Sequence, residues 1–211
     1  SSLKVVIRNR DLWVVSGMGP LLAGVQFSLI TYLALYFKEV VLVPLIPEES
    51  ARIVAAGGYL AICHAGGLFA RVFWGMVSDR VFRGRRIVVL AAVSALSGTM
   101  SLVVSAVGSG HPAWLLSAVV FVYGATAMGW QGLYLVVAAE TAGPGYAGTG
   151  VGLCMTGTQL GFVGGPPLFG LVLDVTGSYS TAWLFLAALC AIGAAMGTLM
   201  ARRERAAEAA L

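Results

Sequence analysis

The sequence predicts an all-α membrane protein built from six transmembrane helices, and three observations predict it. Of 211 residues, 59% are hydrophobic and only 10% charged, with a mean hydropathy of +0.90, whereas a soluble domain carries roughly 25% charged residues. So little polar surface cannot cover a core of that size in water, nor keep the chain disordered. Secondly, the apolar residues fall into six stretches, at about 12–37, 53–77, 87–107, 113–137, 149–173 and 180–201, each near the 20 or so residues that one crossing needs. Thirdly, the basic residues collect on one side of those stretches. Helices are the expected form of each, because an open strand would leave its backbone groups unpaired in hydrocarbon.

Taken in order, the first stretch ends at Pro44 and Pro47 with Glu48 and Glu49, and the second at a run of arginines over 80–86. The sequence 108–112, Gly-Ser-Gly-His-Pro, closes the third, Gly143-Pro144-Gly145 the fourth and Thr176-Gly177-Ser178 the fifth. Residues 202–211 follow the last stretch as a basic tail. The chain opens Ser1-Ser2-Leu3, with neither an initiator methionine nor a cleavable signal pattern, and reads as a piece of something longer.

Orientation follows from charge. Lys4, Arg8 and Arg10 precede the first span, Arg80, Arg83, Arg85 and Arg86 lie between the second and third, and Arg202, Arg203 and Arg205 follow the last. The opposite side has Lys38 and Arg52. Lys and Arg in short loops are retained in the cytoplasm, so both termini are expected there, in a plasma (inner) membrane. The net charge of +4 is a product of this topology and implies no nucleic-acid partner. Cys63, Cys154 and Cys190 lie in apolar stretches as small hydrophobes. Neither His64 nor His111 has ligand-like spacing to Cys, Asp or Glu, so no disulfide, metal or cofactor is expected.

Between the second and third spans the chain reads Gly75-Met76-Val77-Ser78-Asp79-Arg80-Val81-Phe82-Arg83-Gly84-Arg85-Arg86. This resembles the signature of the major facilitator superfamily: a glycine, a small residue, Asp-Arg, then glycine and a basic pair. One extra residue precedes Gly84 relative to the commonest pattern. Gly129-Trp130-Gln131-Gly132 and Ala139-Glu140 in the fourth span look like the corresponding helix of a facilitator half. In the fifth, Gly152, Gly161, Gly165-Pro166 and Gly170 resemble the family's glycine-proline signature, with Phe169 in place of one final glycine; such a run bends a helix and permits tight packing. The resemblance implies a cytoplasmic gate of Gly75, Asp79, Arg80, Gly84, Arg85, Arg86 and Glu140, with Glu140 near Arg80, Arg85 or Arg86. The alternative for Glu140 is a solvated helix end. The turn Asp174 to Tyr179, the basic preamble and the charged tail resemble the second half of a twelve-helix facilitator. That makes an N-terminal six-helix half the implied partner.

Ionisable residues inside a span are functional candidates by default, and two occur. Leu60, His64, Gly67, Arg71 and Gly75 form one stripe of the second span. Ala70-Arg71 with a glycine four residues on resembles the eighth helix of monocarboxylate and oxalate transporters, where an arginine binds the substrate carboxylate; a guanidinium suits that role by staying charged and gripping bidentately. Those porters have an aspartate one turn earlier, where this chain has Gly67. The alternative is that Arg71 snorkels to the interface or pairs with Asp79. His64 could carry a proton or be a neutral core residue. Gln26 and Thr31, then Tyr123, Trp130, Gln131 and Tyr134, then Thr156 and Gln159 could line a cavity or simply bond between helices; Tyr123, Trp130 and Tyr134 are expected on one helical face, as an amphipathic wall.

The function expected is secondary active transport of a small organic solute, of carboxylate or organic-anion class, by alternating access in a lipid bilayer. A drug or neutral-metabolite exporter of the same superfamily is the rival, and a structural six-helix subunit a more distant one. No span offers the G-x-S-x-G nucleophile of an intramembrane serine protease, so no enzyme is expected, and the repeats of a mitochondrial-type carrier are absent.

Overall fold

In the computed structural model, which describes residues 2–208, all regular structure is helical. A short α1 (Ser2–Arg8) leads into α2 (Arg10–Tyr36), which widens into a π-helical turn at Phe37–Val41. Then come α3 (Glu49–Arg80), α4 (Arg86–Ala106), α5 (Ala113–Ala127), α6 (Gln131–Ala142), α7 (Ala147–Thr176) and α8 (Tyr179–Glu208). Among the described residues five stretches are long and apolar enough to cross a bilayer: α2 with its π turn, α3, α4, α5 with α6, and α8 through Ala206. The remaining long helix, α7, falls short in mean hydropathy because glycine, proline, threonine and Gln159 dilute its apolar side chains. It is nevertheless packed into the bundle as intimately as any other.

Local chemistry sets the helix ends. Asn9 caps α2, its Oδ1 accepting from the amides of Asp11 (3.0 Å) and Leu12 (3.2 Å), while its Nδ2 donates to the carbonyl of Thr141 (2.8 Å) and ties the start of α2 to the end of α6. Gly177 closes α7 in the left-handed conformation (φ 63°). Between α3 and α4, Arg83 (φ 53°) and Gly84 (φ 79°) are both left-handed. The additional residue of this loop is thus absorbed by a second left-handed turn position, and the Gly84 amide bonds the Ser78 carbonyl at 3.0 Å.

Helices pair most closely as α2 with α7, α4 with α8 and α3 with α5, and in each pair glycine removes the side chain that would hold the backbones apart. A methyl group on Gly124 would overlap Cys63 of α3, and one on Gly66 would overlap Phe121 of α5. Two apolar clusters stack along the bundle. One holds Tyr36, Phe37, Phe169 and Trp183, and the other Leu12, Met18, Leu90 and Trp130. Hydroxyl bonds stitch helices where the clusters would otherwise bury polar atoms: Ser94 to the Cys190 carbonyl (2.8 Å) and Tyr123 with Ser101 (2.6 Å). Tyr123→Phe is expected to cost about 1 kcal/mol through the lost bond, read as a lower thermal midpoint of the detergent-solubilised protein with unchanged helix content.

The expected fourth span is not one helix. It is broken at Met128–Trp130 and resumes as α6 to Ala142. The break has a tertiary cause. Trp74 of α3 drives its indole N–H onto the carbonyl of Ala125 (2.9 Å), taking an acceptor that an unbroken helix would give to Gly129. A methyl on Gly129 would lie 2.7 Å from the Trp74 ring and 2.8 Å from the Ala70 side chain. The fifth span, α7, by contrast, is continuous through Pro166 and Pro167.

Candidate functional site

The break in the fourth span puts the first turn of α6 beside α3, and there the chemistry collects. Arg71 of α3 donates from Nη2 to Gln131 Oε1 at 3.4 Å. Trp130, buried, donates from its indole to Gln26 Oε1 of α2 at 3.0 Å, so the amide of Gln26 is held from across the bundle. Gln131 and Trp130 also edge a cavity of about 150 Å³ completed by Tyr134, Leu135, Met155 and Thr158. Tyr134 and Thr158 both donate to the carbonyl of Cys154 (3.2 and 2.9 Å), which fixes the wall between α6 and α7. Arg71 thus meets the Gln131 amide, and the aromatic-apolar hollow opens beside it, at the start of a helix whose first N–H groups have no intrahelical acceptor.

The other sequence candidates are placed differently. Tyr123 lies fully buried on the far side of the break, against Ser101 and with its ring 6.2 Å from that of Trp183. It does not share a wall with Trp130 and Tyr134, because the non-helical residues 128–130 change the phase of the helix between them. His64 is exposed on α3, seven residues or about 10 Å from Arg71, and makes no hydrogen bond among the described residues. Gln159 is exposed on α7, next to Thr158 but outside the hollow. Thr31 and Thr156 bond their own helices, to Phe27 and Gly152. Trp74, Leu135, Met155 and Thr158 were not legible as site residues: nothing in their spacing signals the tertiary contacts that recruit them.

The charged cluster at the basic end is centred on Arg86. Its guanidinium meets Glu140 Oε1 at 2.5 Å through Nη1 and Asp79 Oδ1 at 3.1 Å through Nη2, joining the ends of α3 and α6 at the start of α4. Arg80 is exposed on the end of α3 and makes no ion pair among the described residues. Among the described residues nothing lies within 4 Å of a methyl placed on Gly75, so its smallness serves no contact between them. Gly161, Gly165 and Gly170 do serve one, against Pro20, Gly24 and Tyr32 of α2. Pro166, half-buried beside them, leaves the Phe162 carbonyl without a helical donor.

A lobe of long, glycine-packed membrane helices with polar groups gathered at a broken span has the architecture of a solute transporter. The comparisons agree. The family model of the Major Facilitator Superfamily matches residues 1–166. Two uncharacterized MFS-type transporters of Mycobacterium tuberculosis, from strains CDC 1551 and H37Rv, are each 30% identical over 182 residues, covering 86% of this chain and 37% of their own. The crystal structure of the Escherichia coli fucose:proton symporter FucP superposes with a TM-score of 0.75 at 18% identity, over 94% of this chain and 45% of that one. The chain belongs to the major facilitator superfamily, whose fold is that of transporters rather than enzymes. It is an integral membrane protein spanning little more than a third of the length of its curated relatives.

Proposed function

We propose that this chain is one lobe, the second, of a secondary transporter that carries a small organic anion between two six-helix lobes by alternating access, with both termini in the cytoplasm of a plasma membrane. The observation that carries the substrate class is the meeting of Arg71 with Gln131 at the first turn of α6. A helix start inside a membrane protein presents free N–H groups and the positive end of the helix dipole, and Arg71 adds the one full charge. A carboxylate is the group those donors suit, and the Trp130, Tyr134, Leu135 and Met155 hollow would take a small apolar body attached to it. The six-span reading over 12–37, 53–77, 87–107, 113–137, 149–173 and 180–201, with 202–211 as a tail, belongs to this proposal. So do His64 and Gln159 as outer contacts and Gln26 as the residue that holds Trp130.

The test is uptake of radiolabelled monocarboxylates by proteoliposomes containing the full transporter. Arg71→Ala is expected to lower uptake at least about tenfold, since each hydrogen bond to a charged group is worth about 1.5–3 kcal/mol, while insertion and thermal midpoint stay unchanged. Arg71→Lys should recover only part, because an ammonium lacks the fork. Unchanged uptake in Arg71→Ala removes the anion-binding role. The aromatic-apolar wall favours a second reading, export of a neutral or drug-like compound, which predicts transport indifferent to Arg71 and sensitive to Trp130→Ala.

A further inference from the structure

On the flank of the bundle, sharing no residue with the Arg71 site, a groove of about 400 Å³ runs between α4 and α8. Its floor includes Ala92 and Ala95 of α4 with Ala194 and Thr198 of α8, and Arg202 and Arg205 stand at one end. The contact between the two helices is made elsewhere. Methyl groups on Gly98, Gly193 and Gly197 would each lie 2.9 Å from Cys190, Ser94 and Ala91 respectively. Those positions must be small for the backbones to meet. Ala92, Ala95 and Thr198 are exposed outside that contact, so close packing does not demand their small size; what it leaves is an open channel on the outer surface.

The dimensions and the polarity of that channel fit one class of ligand. From Ala194 to Arg205, α8 rises about 16 Å at 1.5 Å per residue, about half of a 30 Å hydrocarbon core and so the depth of one leaflet. The hydroxyl of Thr198 is turned back onto the Ala194 carbonyl at 2.7 Å, which leaves the floor apolar until the arginines. Arg203, between them, reaches toward Asp11 instead (3.9 Å), whereas Arg202 and Arg205 make no ion pair with any residue whose side chain is described. An apolar trough of leaflet depth ending in two guanidinium groups that form no ion pair among the described side chains complements an acyl chain ending in a phosphate.

We propose that the α4–α8 groove seats an anionic phospholipid, one acyl chain lying along Ala92, Ala95 and Ala194 and the phosphodiester held by Arg202 and Arg205. The site requires only that the chain cross a bilayer, so it stands or falls separately from the anion-transport reading.

The experiment is native mass spectrometry of the full purified transporter titrated with phosphatidylglycerol or phosphatidylcholine of matched chains. The expected result is at least a tenfold preference for phosphatidylglycerol. The double substitution Arg202→Gln with Arg205→Gln should abolish the preference, and Ala95→Phe, which fills the trough from its lipid-facing side, should weaken binding with the arginines intact. Inorganic phosphate at millimolar concentration should not displace the lipid. Equal retention of the two lipids, a preference that survives the arginine substitutions, displacement by phosphate, or an oligomer that Ala95→Phe dissociates without altering lipid retention would each overturn the proposal. Unaltered circular dichroism in every variant keeps misfolding from imitating a lost site.

Discussion

Gly165→Val is expected to abolish recovery of folded protein. A methyl on Gly165 would stand 2.5 Å from the Cα and 2.6 Å from the carbonyl oxygen of Gly24, and one on Gly161 would stand 2.7 Å from the Cα of Pro20. These obstacles are backbone, which has no rotamer to yield, so α2 and α7 would have to separate along their contact. Overpacking of a core typically costs about 1–3 kcal/mol, and a clash that moves two whole helices lies at or beyond the top of that range. Gly164 supplies the control from the next residue of the same helix: nothing lies within 4 Å of a methyl placed there, and Gly164→Ala should be neutral or stabilising by about 0.5–1 kcal/mol through helix propensity. Monodisperse yield and thermal midpoint in detergent measure both. If Gly165→Val and Gly164→Ala behave alike, the glycines of α7 serve some purpose other than the α2 contact.

Why this much of the molecule is legible in its sequence, and no more, follows from the range of the forces concerned. Membrane insertion is decided by local composition, so the apolar stretches and the arginine-rich loop after the second could be read directly. Glycine density in the fifth stretch likewise signals close packing, though α2 as its partner could not be deduced from it. The break in the fourth span was not legible. Gly129 alone is tolerated within helices, and the decisive event is the arrival of Trp74, more than fifty residues earlier, at the carbonyl of Ala125. Every expectation that assumed one unbroken helix there inherits the error of phase, Tyr123 most clearly: a spacing that should align it with Trp130 and Tyr134 instead leaves it buried with Ser101. The arginine loop illustrates the same limit on a smaller scale. Its charge was evident, but which arginine reaches Glu140 depends on the left-handed turn at Arg83 and Gly84, a geometry that charge counting does not contain.

That geometry makes a discriminating prediction about the gate. Arg86→Gln should disturb the balance between the conformations of the full transporter, and Arg80→Gln, one residue past Asp79 in the same motif, should not. Arg86 is the more shielded partner, its side chain 26% exposed against 61% for Asp79 and 54% for Glu140, and it bridges those two carboxylates. Each pair in isolation would be worth no more than about 1 kcal/mol at a surface. Removing the shared guanidinium forfeits both and leaves two like charges facing one another, so a population shift of roughly fivefold or more is expected. Pulsed electron-spin distance measurements across the basic ends of the two lobes would register it. Adding Asp79→Asn and Glu140→Gln to Arg86→Gln should restore part of the original balance by removing the repulsion, a rescue that simple loss of packing around Arg86 would not give. An equal response to Arg80→Gln, or no rescue in the triple variant, would mean that the arrangement around Arg86 holds the bundle together without biasing its states.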